Sequence, residues 1–143
     1  MPAERFGHPP PIVQSMILAD GIHQDPSTKK WYILGTHSIV AVSKFPASIP
    51  LRLYMAITET HGLTTLRIRI IEVDEDQGPI HESAHTVDLP DPTRVWEMTF
   101  GVAVTFPAPG NYRIQLMAGE ELLRELRLKA AVSAQPSPPF QDV

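Results

Sequence analysis

The sequence predicts an all-β, immunoglobulin-like two-sheet antiparallel β-sandwich of Greek-key type, on three observations. Trp96, Met98, Phe100, Val102, Val104 and Phe106 fall on one face of an extended segment at period two. Pro107-Ala108-Pro109-Gly110 then reverses the chain into residues 111–116, and Ala118-Gly119-Glu120 turns it again into residues 122–132. Short extended pieces of this kind recur about every ten residues with no convincing amphipathic helix between them.

In chain order, residues 1–14 hold Pro2 and the run Pro9-Pro10-Pro11 and read as a proline-rich extended arm. The sandwich domain is expected over residues 15–132, and a disordered proline-rich tail over 133–143, with Pro136, Pro138 and Pro139. Residues 15–20 form a short strand whose adjacent Met16, Ile17 and Leu18 suit a strand covered on both sides or near an edge. Asp25-Pro26-Ser27 and two lysines mark a solvated turn. Trp31-Tyr32-Ile33-Leu34-Gly35 and Ile39-Val40-Ala41-Val42 are further strands. Their β-branched content, with Pro46 and Pro50 close behind, disfavours a helix.

Leu51, Leu53, Met55 and Ile57 alternate with Arg52, Tyr54 and Ala56, and Thr60-His61-Gly62 turns the chain into Leu66, Ile68 and Ile70, which alternate with Arg67 and Arg69. The apolar phase slips at Ile70-Ile71. Because one residue of slip moves a whole row to the wrong face, a bulge is expected near Ile70. Asp74 to Pro79 is a turn, residues 80–87 the returning strand, and the prolines of Asp88-Leu89-Pro90-Asp91-Pro92 break the ladder where the chain crosses between sheets. Tyr112, just past Pro109-Gly110, is placed either to turn its hydroxyl back onto backbone and lock a crossover loop or to serve as an ordinary core aromatic; both roles are structural.

The 143 residues are expected to form one domain, with a formal charge of −4 from 12 basic and 16 acidic side chains. A charge so modest and mixed argues against a broad nucleic-acid-binding face. With no cysteine, disulfides, thiolate metal sites and a thiol nucleophile are excluded, so hydrophobic burial must carry stability. No apolar run reaches the length of about 18 residues that spans a membrane, and the start lacks a secretion-signal layout, so a cytoplasmic location and no membrane partner are expected.

Motifs for chemistry are sparse. His81 and His85 share a strand face while Glu82 points away. Their Cα atoms, about 13 Å apart in a strand, are too distant for one zinc bound by those two alone, so a metal would need His81 or His85 with ligands from other loops, such as His37 or His61. Glu72, Asp74, Glu75 and Asp76 are rich in carboxylate but miss the spacing of a calcium loop. Arg52, Arg67 and Arg69 with Tyr54 could line a single-strand-binding face, but with Glu59 and Glu72 nearby they read as a solvated sheet face. No phosphate loop or nucleophile elbow occurs. No catalytic residue, metal or cofactor is therefore expected.

The segments Leu18-Ala19-Asp20, Trp31-Tyr32-Ile33-Leu34-Gly35, Phe45-Pro46 and Phe106-Pro107-Ala108-Pro109-Gly110-Asn111-Tyr112-Arg113-Ile114 together resemble an uncharacterised bacterial family of single-domain immunoglobulin-like β-sandwich proteins. The resemblance, over about residues 16–132, implies a fold and no catalytic residues. The expectation is a non-enzymatic structural or protein-interaction domain. The alternative is a small-ligand or carbohydrate-binding module that stacks on Tyr32 or Tyr54. A homodimer is expected as well, through an edge or apolar sheet face, since the strands at Met16-Ile17-Leu18 and Trp31-Tyr32-Ile33-Leu34 carry large apolar side chains on both faces.

Overall fold

The computed structural model describes residues 9–74 and 78–133. These form nine strands: β1 (Ile12–Gln24), β2 (Trp31–Thr36), β3 (Ile39–Val42), β4 (Ala47–Thr58), β5 (Gly62–Glu72), β6 (Pro79–Leu89), β7 (Trp96–Phe106), β8 (Gly110–Ala118) and β9 (Glu121–Val132). They assemble into a four-stranded sheet, order β2-β1-β4-β7, and a five-stranded sheet, order β3-β9-β8-β5-β6.

The period-two rows meet between the sheets. Leu51, Leu53, Met55 and Ile57 of β4, with Val102, Val104 and Phe106 of β7, face Leu66, Ile68 and Ile70 of β5 and Tyr112, Ile114 and Leu116 of β8, all buried in one cluster. Each fully buried aliphatic side chain in it contributes about 1.5–3 kcal/mol, and in a chain without cysteine this row is what holds the layers together. Tyr112 is 1 % exposed, meets Phe106 edge to face at 5.0 Å, and donates its hydroxyl to the Ala108 carbonyl at 2.6 Å. That bond ties the β7–β8 crossover to the start of β8, as its place after Pro109-Gly110 led us to expect.

The bulge expected near Ile70 is present, but the extra residue belongs to the partner strand. Ile70 pairs with His81 and Ile71 with Pro79, leaving Ile80 unpaired in the ladder. β5 itself keeps its phase: Ile70 stays in the core and Ile71 joins the outer row opposite Arg113. The Pro90–Pro92 break does carry the chain from the five-stranded to the four-stranded sheet.

Four expectations need correction. The sheets are not wholly antiparallel, because β3 runs parallel to β9. The ordered domain starts before residue 15, since Ile12 and Val13 already pair with Thr58 and Ile57. Gln14 bulges out of that ladder, and Arg124 of β9 crosses to donate to the Val13 and Gln14 carbonyls at 3.3 and 3.0 Å. Pro50 is inside β4, not before it. It pairs toward β7 at Ala103, while on its other side β1 has already ended its pairing at Arg52, so the missing N–H breaks nothing there. Finally, β1 is an interior strand flanked by β2 and β4, so the doubly apolar run Met16-Ile17-Leu18 offers no free edge. Residues 1–8 and 134–143, most of the two expected tails, lie outside the described residues.

Candidate functional site

The strands leave two kinds of place where chemistry could gather: the open sides where the sheets end, and the loops at either end. On the side closed by β6 and β7, the inward row of β6 carries His81, Ser83 and His85 at period two. Ser83 Oγ is 3.1 Å from His81 Nε2 and 3.1 Å from His85 Nε2, so the hydroxyl can give its proton to one ring and accept from the other. The bridge brings together two histidines whose backbones are four residues apart. The His85 ring lies 4.6 Å from that of Phe100 on β7. Burial, and secondarily the neighbouring His85, lower the His81 pKa below the usual imidazole value.

The other candidate histidines do not join this pair. His37 sits beside Asp20 at 3.4 Å near the base of the β1–β2 hairpin, and His61 lies in the β4–β5 turn. Among the described residues no group of three or more histidines and carboxylates could hold a metal ion. Of the carboxylate cluster, Glu75 and Asp76 lie outside the described residues, and Asp74 is exposed.

The arginines do not form one stripe. Arg52 lies on the outer face of the four-stranded sheet, opposite Gly101. Arg67 and Arg69 lie on the outer face of the five-stranded sheet, where both pair with Glu82. The Arg67 hydrogen bond, and then the charges of the two arginines, hold the Glu82 carboxyl below its usual range. Next to them Glu125 accepts from Gln115 at 2.7 Å and from Arg113 at 2.9 Å, and these bonds lower the Glu125 carboxyl likewise. This is a surface whose charges are largely spent on one another.

Tyr54 is not a stacking platform. Although it points outward from β4, it is buried: Trp31 of β2 comes back over it, ring centroids 5.9 Å apart, and its hydroxyl donates to Glu97. Burial and that carboxylate together push the phenol pKa well above its ordinary value. The far end of the β1–β2 hairpin therefore lies against the outer face of its own sheet, which uses up Trp31 and covers Tyr54. Tyr32 and Leu34 stay outside, 44 % and 60 % exposed, with the His23 ring 5.5 Å from that of Tyr32. At one end of the sandwich Pro9–Pro11, the β4–β5 turn and the β8–β9 turn enclose a cavity of about 220 Å³. Thr60, which lines it, is buried with its hydroxyl lacking a hydrogen-bond partner.

Sequence reasoning placed His81 and His85 on one face but passed over Ser83, although the same period puts it between them. Glu97 and Arg124 were also missed: each acts on a residue far away in sequence, and nothing local signals that.

Among the described residues four edges terminate the sheets: β2, β7, β3 and β6. β3 is four residues long. β6 begins at Pro79, bulges at Ile80 and carries Glu82 and Asp88. β2 is six residues long, and its fifth residue, Gly35, leaves the extended region with a φ of 72°. β7 is eleven residues long, pairs with β4 without a register shift, and has Glu97 as its one charged side chain. Its outward residues Thr99, Gly101, Ala103 and Thr105 are all small and exposed. Among the described residues it has no proline, bulge or lysine to blunt it, and its single charge, Glu97, lies near one end.

Among solved structures, the chain is similar to a β-glucosidase from Listeria innocua, seen alone and with isofagomine, at 10 % identity and a TM-score of 0.46, with 82 % of this chain and 16 % of that one covered. It is similar to a β-glucosidase from Erythrobacter marinus at 11 % identity and a TM-score of 0.46, with 81 % and 15 % covered. The chain thus spans about one-sixth of the length of those proteins. No curated protein matches it. Residues 14–131, most of the length and nearly the whole sandwich, match the model of a family of unknown function, DUF6941, and the chain belongs to that family.

Proposed function

We propose that the protein is a non-enzymatic protein-interaction domain, resident in the cytoplasm, that binds through the sparsely charged edges of its four-stranded sheet. The observation that carries this reading is where polar capacity is spent and where it is left over. Arg67, Arg69 and Glu82, Arg113, Gln115 and Glu125, Tyr54 and Glu97, and His81, Ser83 and His85 are engaged with one another. By contrast, β7 offers an uncharged row of backbone donors and acceptors, and β2 adds exposed Tyr32 and Leu34. Edge strands of that kind take up a further strand, backbone bonds supplying affinity and side-chain pockets specificity.

A second reading, small-ligand or carbohydrate binding, is favoured by the end cavity beside Thr60 and by the exposed Tyr32–His23 ring pair; Tyr54 has no part in it. Amide shift mapping by NMR discriminates the two. Shifts along β7 and β2 on raising protein concentration or adding a partner protein support the interaction domain. Shifts at Tyr32, His23 or Thr60 on adding oligosaccharides, with β7 silent throughout, would replace it by the second reading.

A further inference from the structure

We infer that the partner of the β7 edge is a second copy of this chain, joined by antiparallel β7–β7 pairing about a two-fold axis at Gly101; this rests on the interaction-domain reading above. The argument is one of self-complementarity. A strand that pairs with itself antiparallel must keep its faces in phase, so inward residues have to meet inward residues. Pairing the full length of Trp96–Phe106 satisfies this and places Gly101 opposite its own copy. Met98 then faces the partner's Val104 and Phe100 the partner's Val102, so apolar meets apolar on the core side. Thr99 faces the partner's Ala103 and Glu97 the partner's Thr105 on the outer side, so no like charges oppose each other.

Further features fit that arrangement. A Cβ added at Gly101 would meet nothing within 4 Å, and Thr99 and Ala103 on either side are exposed, so the outer face at the centre of the strand is uncovered. Met98, Phe100, His81 and His85 are only half-buried on this side, where among the described residues no strand follows β7 or β6. A second copy extends the four-stranded sheet to eight strands and covers that row. The isologous contact closes on itself, which produces a dimer and no fibre. The other three edges are short, bulged or charged, and none offers a comparable length of unmodified backbone.

The test is sedimentation equilibrium on the full chain and two double variants at exposed positions. Wild type is expected at twice 15.9 kDa in the micromolar range. Thr99→Lys with Ala103→Lys sets lysine opposite lysine at both symmetry-related positions and should weaken association by about tenfold or more. Thr99→Lys with Ala103→Glu sets lysine opposite glutamate in this register alone and should restore it. Circular dichroism and melting temperature of each variant confirm that it is folded. A wild type at the single-chain mass up to hundreds of micromolar overturns the self-pairing while leaving a different protein partner possible. A dimer indifferent to both variants overturns the β7 edge and leaves the interaction reading intact. Loss in both variants overturns the Gly101 register.

Discussion

Replacing Tyr112 separates two contributions that the fold joins in one side chain. The ring is 1 % exposed and packs edge to face on Phe106 at 5.0 Å, while the hydroxyl reaches the Ala108 carbonyl at 2.6 Å. Tyr112→Phe keeps the ring and removes the bond, leaving the carbonyl of a crossover loop without that donor; the expected loss is about 1–3 kcal/mol. Tyr112→Ala removes the ring as well and opens a cavity between the layers, with an expected loss of about 3–5 kcal/mol. Urea unfolding followed by tryptophan fluorescence reads both, with an unchanged slope required for the comparison to hold. Near the melting temperature each kcal/mol corresponds to about 2–5 °C in a domain of this size, so the two variants should be resolved thermally too. A loss under about 0.5 kcal/mol for Tyr112→Phe would show the hydroxyl bond idle. A loss under about 1 kcal/mol for Tyr112→Ala would contradict the placement of the ring in the core.

Other outcomes follow from the same geometry. His81 has a lowered pKa in the folded chain, so the unfolded chain binds the proton more readily. Its contribution to stability is whole above the unfolded value, near 6.5, and is lost as pH falls below it toward the folded value. The urea midpoint should therefore fall on acidification from neutrality through this range, before carboxylates titrate, and His81→Asn should flatten that fall; an equal slope in the variant would rule the histidine out. Deleting residues 1–14 should lower the melting temperature measurably, because it removes the Ile12 and Val13 pairings and the carbonyls that Arg124 reaches; an unchanged melting curve would mean that the start of β1 contributes nothing. Trp31→Ala should expose Tyr54, increasing its quenching by acrylamide, if the β1–β2 hairpin lies against the sheet as the ring contact shows; unchanged quenching would contradict that cover.

Most of the sandwich was legible because its signal is local. Period-two rows in β4, β5, β7 and β9, and the turn residues between them, identify strands without knowledge of their partners. Tyr112 was readable for the same reason: a proline-glycine turn immediately precedes it. The parallel pairing of β3 with β9 was not readable, since Ile39-Val40-Ala41-Val42 has the same composition whichever way its neighbour runs. Nor could Met16-Ile17-Leu18 reveal that β1 is interior, or Trp31 that it would turn back over Tyr54, because adjacent apolar residues say that both faces are covered and not by what. The β7 edge was hidden in plain view. Thr99, Gly101, Ala103 and Thr105 read simply as the solvent face of a strand until the sheet order placed β7 at the edge among the described residues.

The central claim is that β7 is an interaction edge, and amide hydrogen exchange reads it directly. One set of β7 amides points to β4 and should be protected at every concentration; the alternate set points away from the sheet. If β7 pairs with another strand, the second set gains protection as protein concentration rises through the micromolar range, with the gain centred on Gly101. If those amides exchange at one fast rate from dilute to concentrated solution, and also with candidate partners present, β7 is an idle edge and the account of this protein as an interaction domain acting through it is contradicted.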